Sequence, residues 1–104
     1  MRDLRVLPEV AEDLAEAANW YDRYGYVGLG NRFLQTFRAS IPHLLENGDI
    51  YRAAYSDYRT ILLQPFPYFL FYRYEGDRLI VVLVIAAMRR PAGIRRLLRS
   101  REIS

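Results

Sequence analysis

The stretch that decides the fold is YFLFYRYEGDRLIVVLVIAAM, Tyr68–Met88. Two runs rich in aromatic and β-branched residues flank a turn at 75–77, and this pattern predicts a β-hairpin with strands Tyr68–Glu75 and Arg78–Ala87. The second run is apolar on both faces, which indicates an interior strand. Its apolar part is about half of the roughly 20 residues that a membrane-spanning helix needs, so we do not expect it to cross a membrane.

Two more predicted strands and a basic tail lie outward from this hairpin. The segment Tyr58–Gln64 precedes it and is separated from it by the Pro-rich turn 65–67. Near the N-terminus, Arg2–Leu7 alternates weakly between apolar and polar residues and predicts a short first strand. After the hairpin, the sequence MRRPAGIRRLLRSR (88–101) predicts a short helix from about Ala92 to Arg99.

Two amphipathic helices are predicted between the first two strands, because apolar residues recur at helical spacing. The first helix begins at Pro8, a residue suited to a first turn, and ends at Tyr24. The second follows the turn at 28–30, and Pro42 inside it predicts a kink or an early break near 39–40. The apolar stripes are Val10, Leu14, Ala17, Ala18 and Tyr21, then Leu29, Phe33, Phe37, Ile41 and Leu44 or Leu45.

The element order β-α-α-β-β-β, followed by a short basic C-terminal helix, predicts an α+β fold of two layers. In this fold a helical hairpin packs on an antiparallel sheet. A chain of 104 residues is near the common size of one domain, so we expect a single domain over residues 1–104. In this arrangement the second face of the sheet has no helix left to cover it.

The charge of the chain is unevenly distributed. Residues 1–50 carry 5 Arg and 8 acidic residues, whereas residues 51–104 carry 10 Arg and 4 acidic residues, within a net charge of +3. Every basic residue is Arg, whose planar guanidinium suits phosphate and carboxylate groups. The basic half predicts an anionic partner, either nucleic acid or an acidic protein segment, with an ordinary solvated surface as the alternative.

The absence of cysteine excludes disulfides, thiolate nucleophiles and cysteine-ligated metal sites. We expect no metal and no cofactor. The charged N-terminus is not followed by an apolar stretch of the length that a signal peptide needs. We therefore expect a cytoplasmic protein.

Two groups of residues suggest acid–base chemistry but have simpler structural explanations. His43 lies on the second helix, away from the basic half, and we interpret it as a surface or capping residue rather than a general base. Glu12, Asp13 and Glu16 lie near the start of the first helix, where the helix dipole favours carboxylates. We interpret them as a solvent-exposed face rather than a metal or acid–base site.

The two faces of the strand Tyr68–Glu75 differ in composition. One face carries three tyrosines, which could stack on nucleic acid bases or could pack beneath the helices. Periodicity alone does not decide which face is open. The tyrosines are Tyr68, Tyr72 and Tyr74, and the opposite face carries Phe69, Phe71 and Arg73.

Two long stretches together resemble the ParE/RelE toxin family. They are RVLPEVAEDLAEAANWYDRYGYVGLGNRFL (5–34) and RTILLQPFPYFLFYRYEGDRLIVVLVIAAMRRP (59–91), so the resemblance covers nearly the whole chain. No single motif is chemically decisive, but their order and spacing are specific. The most specific parts are Pro8 with Ala11, Asp13, Leu14, Trp20 and Tyr21, the turn Gly28-Leu29-Gly30 with Arg32-Phe33, and the strand FPYFLFYR.

The resemblance implies the toxin of a type II toxin–antitoxin system, held in a hetero-oligomer by a cognate antitoxin. An acidic, helical antitoxin segment would suit a sheet face that bears aromatic and Arg side chains, through apolar anchors and charge-assisted hydrogen bonds. The residues expected to bind the antitoxin are Arg59, Phe69, Phe71 and Arg73.

The family divides into gyrase poisons like ParE, which block replication, and ribosome-dependent mRNA endonucleases like RelE. Aligned with the nuclease branch, functional basic or polar positions fall at Arg59, Ile61, Phe69, Arg90 and Arg96. Only Arg59 and Arg90 match in kind, and Arg transfers protons poorly because it is effectively always protonated. We therefore favour a DNA gyrase poison that performs no chemistry itself.

The resemblance also implies that the C-terminal region contacts the target, with a flexible basic tail as the alternative. If the chain is instead an mRNA endonuclease, its catalytic residues would be Arg59, Arg73 and Arg90, with Tyr58 as the proton carrier. A third hypothesis is a non-toxic relative that only binds a partner. The residues expected to contact the target are Arg89, Arg90, Arg95, Arg96, Arg99 and Arg101.

Overall fold

A computed structural model describes residues 2–102 as five strands and three helices. A single 3-10 turn at Gly48–Ile50 joins the second helix to the second strand. The elements in chain order are β1 (Asp3–Val6), α1 (Pro8–Tyr24), α2 (Leu29–Asn47), β2 (Ala53–Tyr55), β3 (Tyr58–Leu62), β4 (Tyr68–Glu75), β5 (Arg78–Ala86) and α3 (Pro91–Glu102).

The strands form one sheet in the order β1-β5-β4-β3-β2, so β5 is an interior strand, as its two apolar faces predict. The strands β2 to β5 pair antiparallel in a meander. The first strand pairs parallel with β5, from Asp3 opposite Arg78 to Val6 opposite Val81. The α+β fold is therefore confirmed, and its sheet is mixed rather than wholly antiparallel. Parallel pairing is possible here because two helices separate β1 from the meander and carry the chain back across the sheet.

The helical hairpin packs on one face of the sheet through an aromatic cluster. Measured between centroids, the ring of Phe33 on α2 lies 5.6 Å from that of Tyr21 on α1 and 5.0 Å from that of Tyr68 on β4. The expected early break near 39–40 does not occur: α2 continues through Pro42 to Asn47. The buried residues Phe37 and Leu44 lie on either side of the proline, and their packing offsets the lost hydrogen bond.

The tyrosines of β4 face this hairpin, so packing and not base stacking explains them. The hydroxyl of Tyr72 donates to the carbonyl of Gly48 at 2.6 Å, and that of Tyr74 donates to the carbonyl of Leu44 at 2.5 Å. These bonds satisfy polar atoms that burial would otherwise leave unpaired.

The second face of the sheet is partly covered, contrary to the expectation that it is open. The third helix packs on this face and buries Ile94 and Leu98, and Phe71 of β4 is 2% exposed. The sequence pattern predicts too short a helix; the real one extends to Glu102 and has enough length to lie along the sheet. The basic tail is thus a docked helix. No helix within residues 2–102 is both long enough and apolar enough to cross a membrane.

Candidate functional site

The third helix carries three of the six predicted target-contacting arginines on its outer side. At 3.6 residues per turn, Arg95, Arg96 and Arg99 lie within an arc of about 100°, and all three side chains are exposed. Arg89 and Arg90 are also exposed and lie just before the helix begins. Ile94 and Leu98 fix the buried side of α3 to the sheet, so the backbone that carries Arg95, Arg96 and Arg99 is rigidly supported.

Arg101, the sixth predicted member, points inward and has a structural partner. Its guanidinium binds both carboxylate oxygens of Asp13 at 2.6 and 2.7 Å and the carbonyl of Val82 at 2.9 Å. The same carboxylate accepts the backbone N–H of Val84 at 3.0 Å. The solvent-exposed interpretation of Asp13 is therefore wrong, because its side chain is only 13% exposed.

This ion pair closes an edge of the sheet. Pairing between β1 and β5 ends at Val81, so within residues 2–102 the outer edge of β5 beyond Val81 has no neighbouring strand. The Asp13 carboxylate and the Arg101 guanidinium supply hydrogen bonds to this edge in place of a strand.

Arg73 is likewise held in a partly buried cluster. Its guanidinium binds both carboxylate oxygens of Glu102, with the shortest contact at 2.7 Å, and Glu75 lies 3.1 Å away on the exposed side. The hydroxyl of Tyr58 donates to the same Glu102 at 2.7 Å. Glu102 thus ties the last turn of α3 to β3 and β4.

The pKa values in this cluster favour the charged pair and a neutral phenol. Hydrogen bonding to Glu102 raises the pKa of Arg73, and the reciprocal bond lowers the pKa of Glu102 below its usual range. Burial, followed by the hydrogen bond to Glu102, raises the pKa of Tyr58 to about 12. At neutral pH, Tyr58 therefore remains protonated and occupied as a donor.

The residues expected of a nuclease do not converge on one site. Arg59 lies on the sheet face that carries the helical hairpin, with its guanidinium 5.8 Å from the ring of Tyr74. Tyr58 and Arg73 lie on the opposite face, beneath α3. Arg90 lies before the start of α3. The structure brings together only Tyr58 and Arg73, through Glu102.

The four residues expected to bind the antitoxin are also divided. Phe71 is buried, Phe69 is half-buried, and Arg73 is paired with Glu102 on the face that α3 covers. Arg59 is on the other face. These residues therefore do not form one open surface.

The remaining candidates show no catalytic arrangement: His43 lies on α2, and Glu12 and Glu16 line a shallow pocket with Arg89, Leu97 and Arg101. His43 Nε2 lies 2.7 Å from the hydroxyl of Tyr51, on the exposed surface of α2, in keeping with a surface role. Glu12 and Glu16 are exposed, as expected. Among residues 2–102, no three His, Cys, Asp or Glu side chains lie together as metal ligands.

A cleft between the β2–β3 turn and α3 was not predicted from the sequence. It has a volume of about 510 Å³, and Tyr55, Ser56, Arg95 and Arg99 contribute to its walls. The short strand β2, which forms its outer edge, has no periodicity of its own. Ser56-Asp57 between two tyrosines is a turn signal that could have indicated this hairpin.

The fold and the site define a small α+β protein of ParE/RelE-like architecture with a basic third helix. The chain belongs to the ParE toxin family: the model of the family described as "ParE toxin of type II toxin-antitoxin system, parDE" matches residues 4–91. The match ends at the first residue of α3, so it does not extend over Arg95, Arg96 and Arg99.

A solved structure described as the "Chromosomal ParDE TA system from P. aeruginosa" has a similar fold. The superposition has a TM-score of 0.73 at 16% sequence identity and covers 83% of this chain and 96% of that chain. At this identity the similarity supports the fold alone. A search of curated proteins gave no significant match.

Proposed function

We propose that this member of the ParE toxin family poisons DNA gyrase and that a cognate antitoxin neutralises it. The observation that carries the proposal is the exposed arc of Arg95, Arg96 and Arg99 on α3. Planar guanidinium groups on a rigid helix suit carboxylate or phosphate groups on a partner, and they lose little conformational freedom on binding.

The docking of α3 supports its role as a binding element. Ile94 and Leu98 are 3% and 1% exposed and fix its inner side to the sheet. The ion pairs of Arg101 and Glu102 fix its last turn from two directions. A helix held this firmly fixes the positions from which its outer arginines extend, which favours specific contact over diffuse attraction.

An mRNA endonuclease is less well supported by the side chains. RNA cleavage by 2′-hydroxyl attack needs a group that takes up a proton near neutral pH. Tyr58 has a pKa of about 12 and already donates its proton to Glu102. Arg59 lies on the opposite face of the sheet. Both features favour a toxin that acts by binding.

The antitoxin is proposed to cover the basic side of α3 rather than the inner sheet face. An acidic segment would pair with Arg95, Arg96 and Arg99 and make them unavailable to the target. Phe71 and Arg73, which are packed under α3, would contribute to the support of this surface rather than to the contact.

The proposal is tested by incubating the purified chain with DNA gyrase and supercoiled plasmid and measuring trapped cleavage complexes. We expect gyrase-dependent linear DNA, and we expect the triple variant Arg95→Gln, Arg96→Gln, Arg99→Gln to abolish it. The matched control changes three exposed arginines outside α3 and should retain the effect. The control residues are Arg23, Arg38 and Arg78.

Two results would count against this function. One is the absence of trapped gyrase complexes at every toxin concentration. The other is the appearance of cut mRNA ends when the chain is added to translating ribosomes. The second result would assign the chain to the nuclease branch.

A further inference from the structure

The cleft between the β2–β3 turn and α3 has the size of a small-ligand site. Its volume is about 510 Å³, within the range of roughly 300–1,000 Å³ that is usual for such sites. One wall consists of the turn with Tyr55, Ser56 and Tyr58, and the other consists of α3 with Arg95 and Arg99. Aromatic and cationic groups therefore face each other across the cleft.

The ring of Tyr55 offers a stacking surface in this cleft. It is half-buried and supported by the ring of Phe71, with a centroid distance of 5.8 Å and an angle of 30° between the planes. The guanidinium carbon of Arg95 lies 5.0 Å from the centroid of Tyr55. The guanidinium of Arg95 thus lies over one face of the ring, and a base could stack on that face when the exposed Arg95 side chain turns away.

Arg95 and Arg99 form the part of the cleft that would bind an anion. They lie one turn apart on α3, and neither has a carboxylate partner within residues 2–102. Like charges at this spacing destabilise a helix. A phosphate between the two guanidinium groups would remove this repulsion and form charge-assisted hydrogen bonds.

The turn supplies a polar group and a fixed shape. Ser56 has a φ of +52°, a left-handed conformation that is uncommon for a residue other than glycine. Ser56 lines the cleft, and a serine hydroxyl can donate to a ligand oxygen, whereas the hydroxyl of Tyr58 is occupied by Glu102. Backbone conformations of this kind are concentrated at ligand-binding turns.

We propose that this cleft binds a nucleoside phosphate, with its base on Tyr55 and its phosphate between Arg95 and Arg99. The ligand can be a free nucleotide or the phosphorylated end of a single-stranded nucleic acid, which share this chemistry. An acidic peptide would use the two arginines but would leave the aromatic wall without a partner. The proposal does not depend on gyrase, because binding is measured with the purified chain alone.

The test is isothermal titration of the full chain with AMP at millimolar concentration, beside adenosine and ribose 5-phosphate. We expect AMP to bind, and both fragments to bind at least about tenfold more weakly, because stacking and phosphate contacts each contribute about a factor of ten or more. We expect Tyr55→Leu and Arg99→Gln to weaken AMP binding by about tenfold each. The matched controls Tyr24→Leu and Arg38→Gln alter exposed residues elsewhere and should leave it unchanged.

Any one of four outcomes would overturn the proposal. The first is that AMP and a 5′-phosphorylated single-stranded oligonucleotide both fail to bind. The second is that ribose 5-phosphate binds as tightly as AMP, which would exclude stacking of the base. The third is that Arg38→Gln weakens binding as much as Arg99→Gln, which would indicate non-specific attraction to the overall positive charge. The fourth is that poly-glutamate binds the cleft more tightly than AMP or the oligonucleotide, with the same dependence on Tyr55 and Arg99.

If the proposal holds, the relative affinities of AMP and the oligonucleotide show whether the ligand is a free nucleotide or the end of a nucleic acid strand. Circular dichroism verifies that each variant is folded.

Discussion

Asp13 and Arg101 stand 88 positions apart in the sequence and form a two-point ion pair, with oxygen–nitrogen distances of 2.6 and 2.7 Å. The pair joins α1 to the last turn of α3 around the edge of β5. It also forms hydrogen bonds with the backbone of that strand: Asp13 accepts from the N–H of Val84, and Arg101 donates to the carbonyl of Val82. One side-chain pair thus connects the helical hairpin, the sheet and the basic helix.

Removing one member of this pair should destabilise the fold strongly. Arg101→Met leaves the Asp13 carboxylate largely buried without a counter-charge, and we expect a loss of about 3 kcal/mol in the free energy of unfolding. Urea denaturation measures this loss. Glu12→Gln, a change at an exposed neighbour, should alter stability by less than about 0.5 kcal/mol. Equal unfolding midpoints for Arg101→Met and the unsubstituted chain would contradict this role.

Glu102 should make stability depend on acid pH. Its pKa is lowered in the folded state, chiefly by Arg73, so its contribution is complete above the ordinary glutamate pKa of about 4.3. The contribution is lost as the pH falls from that value through the folded-state pKa. We expect Glu102→Gln to flatten this part of the stability curve in urea titrations at successive pH values. The control Glu75→Gln should preserve the curve, since the Glu75 side chain is 65% exposed.

Two glycine-to-alanine changes should have opposite effects. A Cβ at Gly30 would lie 2.3 Å from the carbonyl oxygen of Ala18, so alanine must force α1 and α2 apart. We expect a cost of about 1–3 kcal/mol. Gly93 in α3 has nothing within 4 Å of the same position, and alanine there should stabilise the helix by up to about 1 kcal/mol. Thermal denaturation compares the two, and a neutral Gly30→Ala would show that the helices are not in close contact.

The sequence predicted the bounds of those elements whose residues show a clear periodicity within a single segment. The strand Tyr68–Glu75 and the helix bounds Pro8–Tyr24 were predicted as the structure has them, because alternation, helical spacing and terminal Pro and Gly residues are local signals. The pairing partner of β1 and the existence of β2 were not predicted. A strand of three or four residues has too few positions to show a period, and its neighbour is decided by the whole sheet.

The arrangement of charged residues around α3 could not be predicted from hydrophobic periodicity, because it depends on contacts between residues far apart in the sequence. The acidic residues at the start of α1 have the same pattern, yet Asp13 alone turns to Arg101 while Glu12 and Glu16 stay in solvent. Within the Arg-rich tail, the sequence could not separate Arg101 from the exposed arginines, because the difference arises only when α3 docks. The spacing of Ile94 and Leu98, one turn apart, was the available sign that this helix has a buried side.

The measurement that tests the central claim most directly is pulse labelling of bacteria in the first minutes after this chain is induced without an antitoxin. Incorporation of labelled thymidine and of labelled methionine is followed side by side. A gyrase poison predicts that thymidine incorporation falls first and that the triple change at Arg95, Arg96 and Arg99 prevents the fall. An earlier fall in methionine incorporation would contradict the account and indicate a toxin that acts on translation.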